Sequence, residues 1–316
     1  MQTNNNLIFE YNKEVFGGTE YLAKRFHEIV LPFTPNFNKY NCIILPGYIN
    51  QNLNDYIYDD KEIILWVHNT TEQFNENITM NAFYKKEFTD KIKYVIVVSE
   101  FAKKEFIEKT YIDPEKVVVI YNAIDPIIND INRFKNVKTV EILHTSAQER
   151  GFWVLLLALK YAKEDFNLRI YNKVYSDNLI TNKDYKNLLN DKRIYMHGHT
   201  SRKVLTESMS KAHIFAYPSL FEETFCLSQV EALSANCLSI YNDLGALKEV
   251  SLGYGIIYDG EVNKEKHAKK IAKMIDENVR LIKSNMYNQV LQSKEINNKF
   301  SWENFKNSWI QLHEKI

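Results

Sequence analysis

The sequence predicts an α/β protein of two Rossmann-like, doubly wound parallel-sheet domains facing each other across a cleft. Three observations carry that prediction. Short β-branched apolar runs alternate with longer amphipathic stretches. The runs are almost continuously apolar rather than alternating, and a stretch without periodicity near Asp125–Lys138 separates one β/α series from another. Near-continuous apolar strands divided by helices are what a parallel sheet covered on both faces requires.

Five runs precede that joint: Leu7–Phe9, Cys42–Leu45, Ile63–Val67, Tyr94–Val98 and Val117–Ile120. Six follow it: Val140–Leu143, Leu168–Tyr171, Arg193–Met196, His213–Tyr217, Cys237–Ile240 and Gly255–Tyr258. Helical stretches space their apolar residues by three and four. In Phe101–Lys109, Phe101, Ala102, Glu105, Phe106 and Lys109 alternate faces, with Ser99 placed to cap the start. Asp113-Pro114 supplies a turn before the next strand. The expected division is residues 1–130 for an N-terminal domain and 131–300 for a C-terminal domain. A final helix follows over 301–316. Its Trp302, Phe305, Trp309 and Leu312 share one face and need an apolar partner, which either domain could supply; crossing back to the first is one option.

Composition narrows the function. With 40 Lys+Arg against 40 Asp+Glu, the chain lacks the basic excess of a nucleic-acid binder. No run reaches the roughly eighteen apolar residues of a membrane span, and the first residues show no basic patch ahead of an apolar core. Cys42, Cys226 and Cys237 are odd in number and form no CxxC. A cytoplasmic protein is therefore expected, with peripheral contact at a membrane surface left open.

Four motifs carry chemistry. Gly17-Gly18 follows the first strand and opens a helix, where paired glycines let backbone amides approach an anion; a tight strand-to-helix turn explains them equally well. Thr145, Ser146 and Arg150 lie in a polar loop before the helix FWVLLLALKYA. An arginine can fork across two phosphate oxygens and the hydroxyls can donate, although a surface Arg150–Glu149 pair is the plain alternative. Glu223 and Glu231 stand eight apart across an expected helix over Thr224–Leu233, with the amides of Thr224, Phe225 and Cys226 between them. That order suits a sugar, a phosphate and a ribose. His68 ends the strand IILWV and would project from the carboxyl edge of the sheet, where ligands of such folds sit. His197-Gly198-His199 is read as a turn. No HExxH and no Asp-x-Asp occurs, so no metal site and no cofactor is expected.

Together these segments resemble family 4 of the glycosyltransferases, retaining and metal-independent enzymes of the GT-B fold. The resemblance rests on Gly17-Gly18-x-Glu20, Trp66-Val67-His68-Asn69, Val97-Val98-Ser99-Glu100-Phe101 and Pro114-Glu115-Lys116-Val117 leading to Tyr121-Asn122-Ala123-Ile124-Asp125. It continues in Glu149-Arg150-Gly151, in Pro218 to Glu231 with its E-x7-E spacing, in Leu244-Gly245-Ala246-Leu247-Lys248-Glu249-Val250 and in the C-terminal FSWENF. It implies a nucleotide-diphosphate-sugar donor and a glycan, lipid or small-molecule hydroxyl acceptor. It further implies that Glu223 contacts the sugar ring, Glu231 the ribose hydroxyls and His68 the sugar's outer hydroxyls. Arg150 would replace the phosphate-binding lysine, and the amides of Phe225, Cys226 and Leu227 would approach phosphate and sugar, with Gly17, Gly18, Ser146 and Thr224 also on the donor. Three departures stand out. Thr145 occupies the place of the family's second phosphate-binding arginine, Thr224 and Cys226 stand where glycine is frequent, and Ala123 replaces a glycine before the joint. A nucleotide-sugar epimerase of the same fold and an inactive binding module of that fold are the rival readings.

Overall fold

The computed structural model describes residues 7–8, 17–45, 60–71, 83–171 and 187–316. Phe9, the end of the first expected run, lies outside them. The chain divides into two compact units. One comprises residues 1–124, 223–225 and 299–316; the other comprises residues 125–222 and 226–298.

The first unit is built on a five-stranded parallel sheet whose described strands follow chain order: β1 (Leu7–Ile8), β2 (Asn41–Leu45), β3 (Ile63–Val67), β4 (Ile92–Val97) and β5 (Val117–Val119). Its helices are α1 (Gly18–Ile29), α2 (Lys86–Lys91) and α3 (Glu100–Lys109). Ser99 caps α3 by accepting from the Ala102 amide, and Asp113 caps the short turn before β5 by accepting from Glu115. All five residues of β3 are buried, as a central parallel strand requires. Ile63, Leu65 and Val67 pack with Val95, Val97, Phe88 and Phe106. Trp66 belongs to a separate aromatic group, its ring 5.5 Å from Phe26 of α1 and 5.3 Å from Trp309. Trp309 lies in the C-terminal helix α10 (Trp302–Glu314), which buries Phe305, Trp309 and Leu312. The amphipathic face seen in the sequence is thus received by α1 and β3.

The second unit has a six-stranded parallel sheet in the order β11-β10-β9-β6-β7-β8. Its strands are β6 (Val140–His144), β7 (Phe166–Ile170), β8 (Ile194–Met196), β9 (Ile214–Tyr217), β10 (Leu238–Asn242) and β11 (Ile256–Tyr258). Its helices are α4 (Phe152–Ala158), α5 (Arg202–Lys211), α6 (Leu227–Ser234), α7 (Leu247–Val250), α8 (Lys264–Lys283) and α9 (Ser293–Lys299). The order runs outward from β6 to β8 and then resumes on the other side of β6 with β9. This is doubly wound, and its switch point lies between β6 and β9. Alternate strand residues feed two cores. Ile142, Ala216 and Ile240 meet α4 and α8 on one face, while Leu143, Phe215, Tyr217 and Tyr241 meet Met209, Ala232 and Leu247 on the other.

One expected helix starts late. The chain becomes helical at Leu227, not Thr224, because the capping residue Cys226 takes a left-handed conformation with φ 67°. Residues 223–225 therefore leave the helix and group with the first unit. Glu105 on α3 is buried, whereas Lys109, with which it forms an ion pair at 3.3 Å, keeps 39% of its side chain exposed.

The tightest constraint at the switch point is Gly151, with φ 93°. A Cβ built there would lie 2.1 Å from the Pro218 carbonyl oxygen. A left-handed alanine is strained by roughly 1–2 kcal/mol, and forced overlap in a packed site typically adds about 1–3 kcal/mol. Gly151→Ala should therefore lower stability by several kcal/mol in urea unfolding. An unchanged midpoint would show that the two backbone segments can separate.

Candidate active site

At the switch point, two loops leave the carboxyl ends of β6 and β9: residues 145–151 and, within the second unit, 218–222. Three contacts hold the first loop to its surroundings. Gly151 packs on Pro218, the Ser228 hydroxyl donates to the Thr145 carbonyl at 2.8 Å, and Ser146 shares a 3.1 Å hydrogen bond with the Tyr217 hydroxyl. Arg150 follows a turn closed by its own amide on the Ala147 carbonyl, and its guanidinium sits 4.0 Å above the Phe221 ring. That cation–π contact fixes the charge between the two loops. Thr145 Oγ1 and Gln148 Nε2 in the same loop are buried without a hydrogen-bond partner. Buried polar atoms of this kind are the ones a ligand or solvent normally satisfies.

The helix α6 starts beside them. Its first intrahelical bonds are donated by Gln229 and Val230 to the Cys226 carbonyl. The amides of Leu227 and Ser228 precede those bonds and supply the positive end of the helix. The free first-turn amides expected at Thr224, Phe225 and Cys226 are thus those of Leu227 and Ser228, of which the resemblance includes Leu227. On its fifth residue, α6 carries Glu231, 2% exposed, ion-paired through Oε1 to the Arg202 guanidinium at the start of α5. Burial pushes the Glu231 carboxyl upward from its ordinary range; Arg202 opposes that shift and the charge on Asp125 adds to it.

In the first unit, Gly17 caps α1 and Gly18 is its first residue, both exposed. A Cβ at Gly17 would meet the Glu20 carboxylate at 2.4 Å, so a glycine there lets that carboxylate fold back over the helix start. His68 follows β3, its ring 4.7 Å from Trp66, with Nε2 buried and without a hydrogen-bond partner. Burial pushes its pKa down to about 3, which keeps the imidazole neutral. Thr224 donates its hydroxyl to the His68 carbonyl at 2.5 Å. Glu223 is buried beside it in sequence, and the Phe225 ring packs 5.3 Å from Phe300. The loop after His68 is pinned by Glu105, which accepts from both the amide and the hydroxyl of Thr71.

Each unit therefore gathers part of the expected set. Ser146, Arg150, Leu227 and Glu231 converge around the switch point of the second sheet. Gly17, Gly18, His68, Glu223, Thr224 and Phe225 belong to the first unit, and Cys226 is the residue at which the chain turns into α6. Sequence reasoning missed Arg202, Glu105 and Ser228. For Arg202 a signal was present: a basic residue opening a helix opposes the helix dipole. At His197-Gly198-His199 the chain bends rather than forming a hydrogen-bonded turn, with Gly198 at φ 67° and His197 stacked 4.4 Å from Tyr171. Among the described residues, no group of three or more His, Cys, Asp or Glu is arranged to hold a metal ion. Among them also, no helix is long and apolar enough to cross a membrane.

Residues 124–291, more than half of the chain, match the family model described as glycosyl transferases group 1. The O-antigen chain mannosyltransferase RfbU of Salmonella typhimurium is 27% identical over 256 residues, covering 69% of this chain and 67% of that protein. Among solved structures, Anabaena Alr3699/HepE in complex with UDP-glucose is similar with a TM-score of 0.67 at 14% identity. That match covers 93% of this chain and 82% of the other. The pneumococcal O-GlcNAc transferase GtfA, in complex with UDP and GlcNAc, has a TM-score of 0.61 at 20% identity, covering 94% of this chain and 59% of its own. A glycosyltransferase from Rickettsia africae has a TM-score of 0.63 at 17% identity, over 97% of this chain and 84% of that one.

The histidine that ends β6 gives the switch point a pH signature. His144 is fully buried, shares a 3.2 Å hydrogen bond through Nδ1 with the Ala216 carbonyl, and is pushed down to about 4 by burial. Its unfolded form takes a proton near pH 6.5 that the folded form refuses until about pH 4. Stability should therefore fall as pH drops between those values. Replacing His144 by Gln should flatten that fall by up to about 1.4 kcal/mol per pH unit. Urea unfolding at pH 7, 6, 5 and 4.5 measures it, and equal slopes in both proteins would contradict the buried neutral imidazole.

Proposed function

The chain is a member of the group 1 glycosyl transferases, with the GT-B fold, and from that premise we propose a specific transferase. It moves a sugar from a nucleotide-diphosphate donor to a glycan, lipid or small-molecule hydroxyl, retains anomeric configuration as family 4 enzymes do, and needs no metal. The observation that carries this reading is the convergence at one switch point of Arg150, the first amides of α6 and the buried Glu231. Cation, helix start and carboxylate match diphosphate and ribose in that order. Nucleotide-sugar use is supported by the similar structures that hold UDP-glucose, or UDP and GlcNAc.

As the bond from sugar C1 to phosphate breaks, negative charge grows on the leaving diphosphate. Arg150 and the amides of Leu227 and Ser228 are oriented before reaction and stabilise that charge where it develops. Thr145 and Ser146 supply hydroxyls in place of a second cation. Glu231 accepts from the ribose hydroxyls, Glu223 orients the sugar ring, and neutral His68 offers a hydrogen bond without a competing charge. With no side chain assigned as a covalent nucleophile, the acceptor enters on the face the diphosphate leaves, and the leaving phosphate takes the acceptor proton.

Activity is read as nucleotide release that depends on an acceptor. Turnover should persist in excess EDTA; loss in EDTA with recovery on added Mn²⁺ or Mg²⁺ would remove the metal-independent assignment. Release of nucleotide without any acceptor would favour the epimerase, and failure to bind any nucleotide sugar would favour the binding module.

The two glutamates should separate kinetically. Charged hydrogen bonds contribute roughly 1.5–3 kcal/mol, and those to ribose form with the ground-state donor. Glu231→Ala should raise donor KM by about one to two decades with kcat nearly intact, whereas Glu223→Ala should mainly lower kcat through lost orientation. Donor binding by folded Glu231→Ala as tight as the parent's would withdraw the ribose assignment.

A further inference from the structure

We propose that Arg202 is a positioning residue for the donor: it fixes the charge and orientation of the Glu231 carboxylate, and donor affinity depends on it through Glu231. The inference rests on the reading above that Glu231 meets the ribose. Arg202 opens α5 directly after the cap Ser201, whose hydroxyl accepts from Val204. A cation at that end of a helix opposes the dipole, so α5 by itself gains nothing from it. What Arg202 meets instead is Glu231, twenty-nine residues further along the chain and 2% exposed.

The surroundings of Glu231 explain why a partner is required. A buried carboxylate without a cation takes up a proton rather than remain charged. Burial and Asp125 push this one toward the neutral acid, and Arg202 opposes both. The other elements packed on α6 are β9, β10 and α7. The strands bring Tyr217 and Tyr241; α7 brings Glu249 and Lys248, the latter paired with Asp243 at 3.7 Å. None of these is among the groups that shift Glu231. A protonated Glu231 would present a donor to one hydroxyl instead of accepting from two. Through Oε1 the arginine anchors the group as an anion, the state in which a carboxylate accepts. The side chain of Arg202 is 32% exposed, so the pair lies at the edge of the buried region, within reach of a solvent-borne ligand.

The test is isothermal titration of the full chain with UDP, GDP and ADP from pH 5.5 to 8.5. Arg202→Gln should weaken the bound nucleotide about tenfold or more at pH 7.5. It should also move the acid-side loss of affinity upward by about one pH unit, since loss of the cation favours the protonated carboxyl. Arg202→Lys, which keeps the charge, should restore most of that midpoint. Glu231→Gln should be weak with no such midpoint, leaving only the titration of the nucleotide's own phosphate. Arg202→Gln placed on Glu231→Gln should add little further loss, a comparison that holds even where the single arginine variant does not fold. The inference is overturned if Arg202→Gln matches the parent in affinity and pH profile while Glu231→Gln is weakened. A large additional loss in the double variant also overturns it, because Arg202 would then touch the nucleotide itself. Full-strength binding by Glu231→Gln, or binding of none of the three nucleotides by the parent, removes the underlying site reading and the inference with it.

Discussion

The close approach of the Gly151 α-carbon to the Pro218 carbonyl organises the second unit's site. It brings the loop after β6 against the loop after β9 with no room for a side chain between them. Once those backbones touch, the rest is local. Ser228 can reach the Thr145 carbonyl, Ser146 can reach Tyr217, and Arg150 can rest on Phe221. A doubly wound sheet always leaves a crevice where its strand order reverses. Here that crevice is lined by an arginine, a helix start and hydroxyls, so the topology has been given a charge pattern suited to an anion.

The polar groups at this point are held in charge states by burial. His144 is neutral because its surroundings exclude water, and His68 in the first unit is neutral for the same reason. Glu231 is the opposite case: a carboxylate is placed where burial favours its neutral acid. A cation from another helix opposes that shift. Apolar residues of similar volume would pack in such positions with less penalty.

The first unit uses a different device. Trp66 sits among Phe26, Phe305 and Trp309, and the strand it belongs to ends in His68. The C-terminal helix therefore stiffens the strand that presents the histidine. Beyond His68, Glu105 ties down Thr71 from α3, and Thr224 caps the His68 carbonyl. A loop that would otherwise be free to shift is restrained from two sides, which matters for any residue that acts by orientation.

Much of this was legible in the chain alone. The division into five and six parallel strands, the Ser99 cap, the turn at Asp113-Pro114 and the apolar face of the last helix all follow from local pattern. Apolar periodicity, turn chemistry and capping act over a few residues, so a sequence displays them directly. The start of α6 was not legible, because the left-handed turn at Cys226 is imposed by packing in a residue type that does not announce it. Nor were the partners of Glu231 and Thr71, which lie 29 and 34 residues away in the chain. Charge pairing and burial depend on which helices the sheet order brings together. That order is set by long-range strand pairing, so only the tertiary structure decides which buried charge finds its counter-charge.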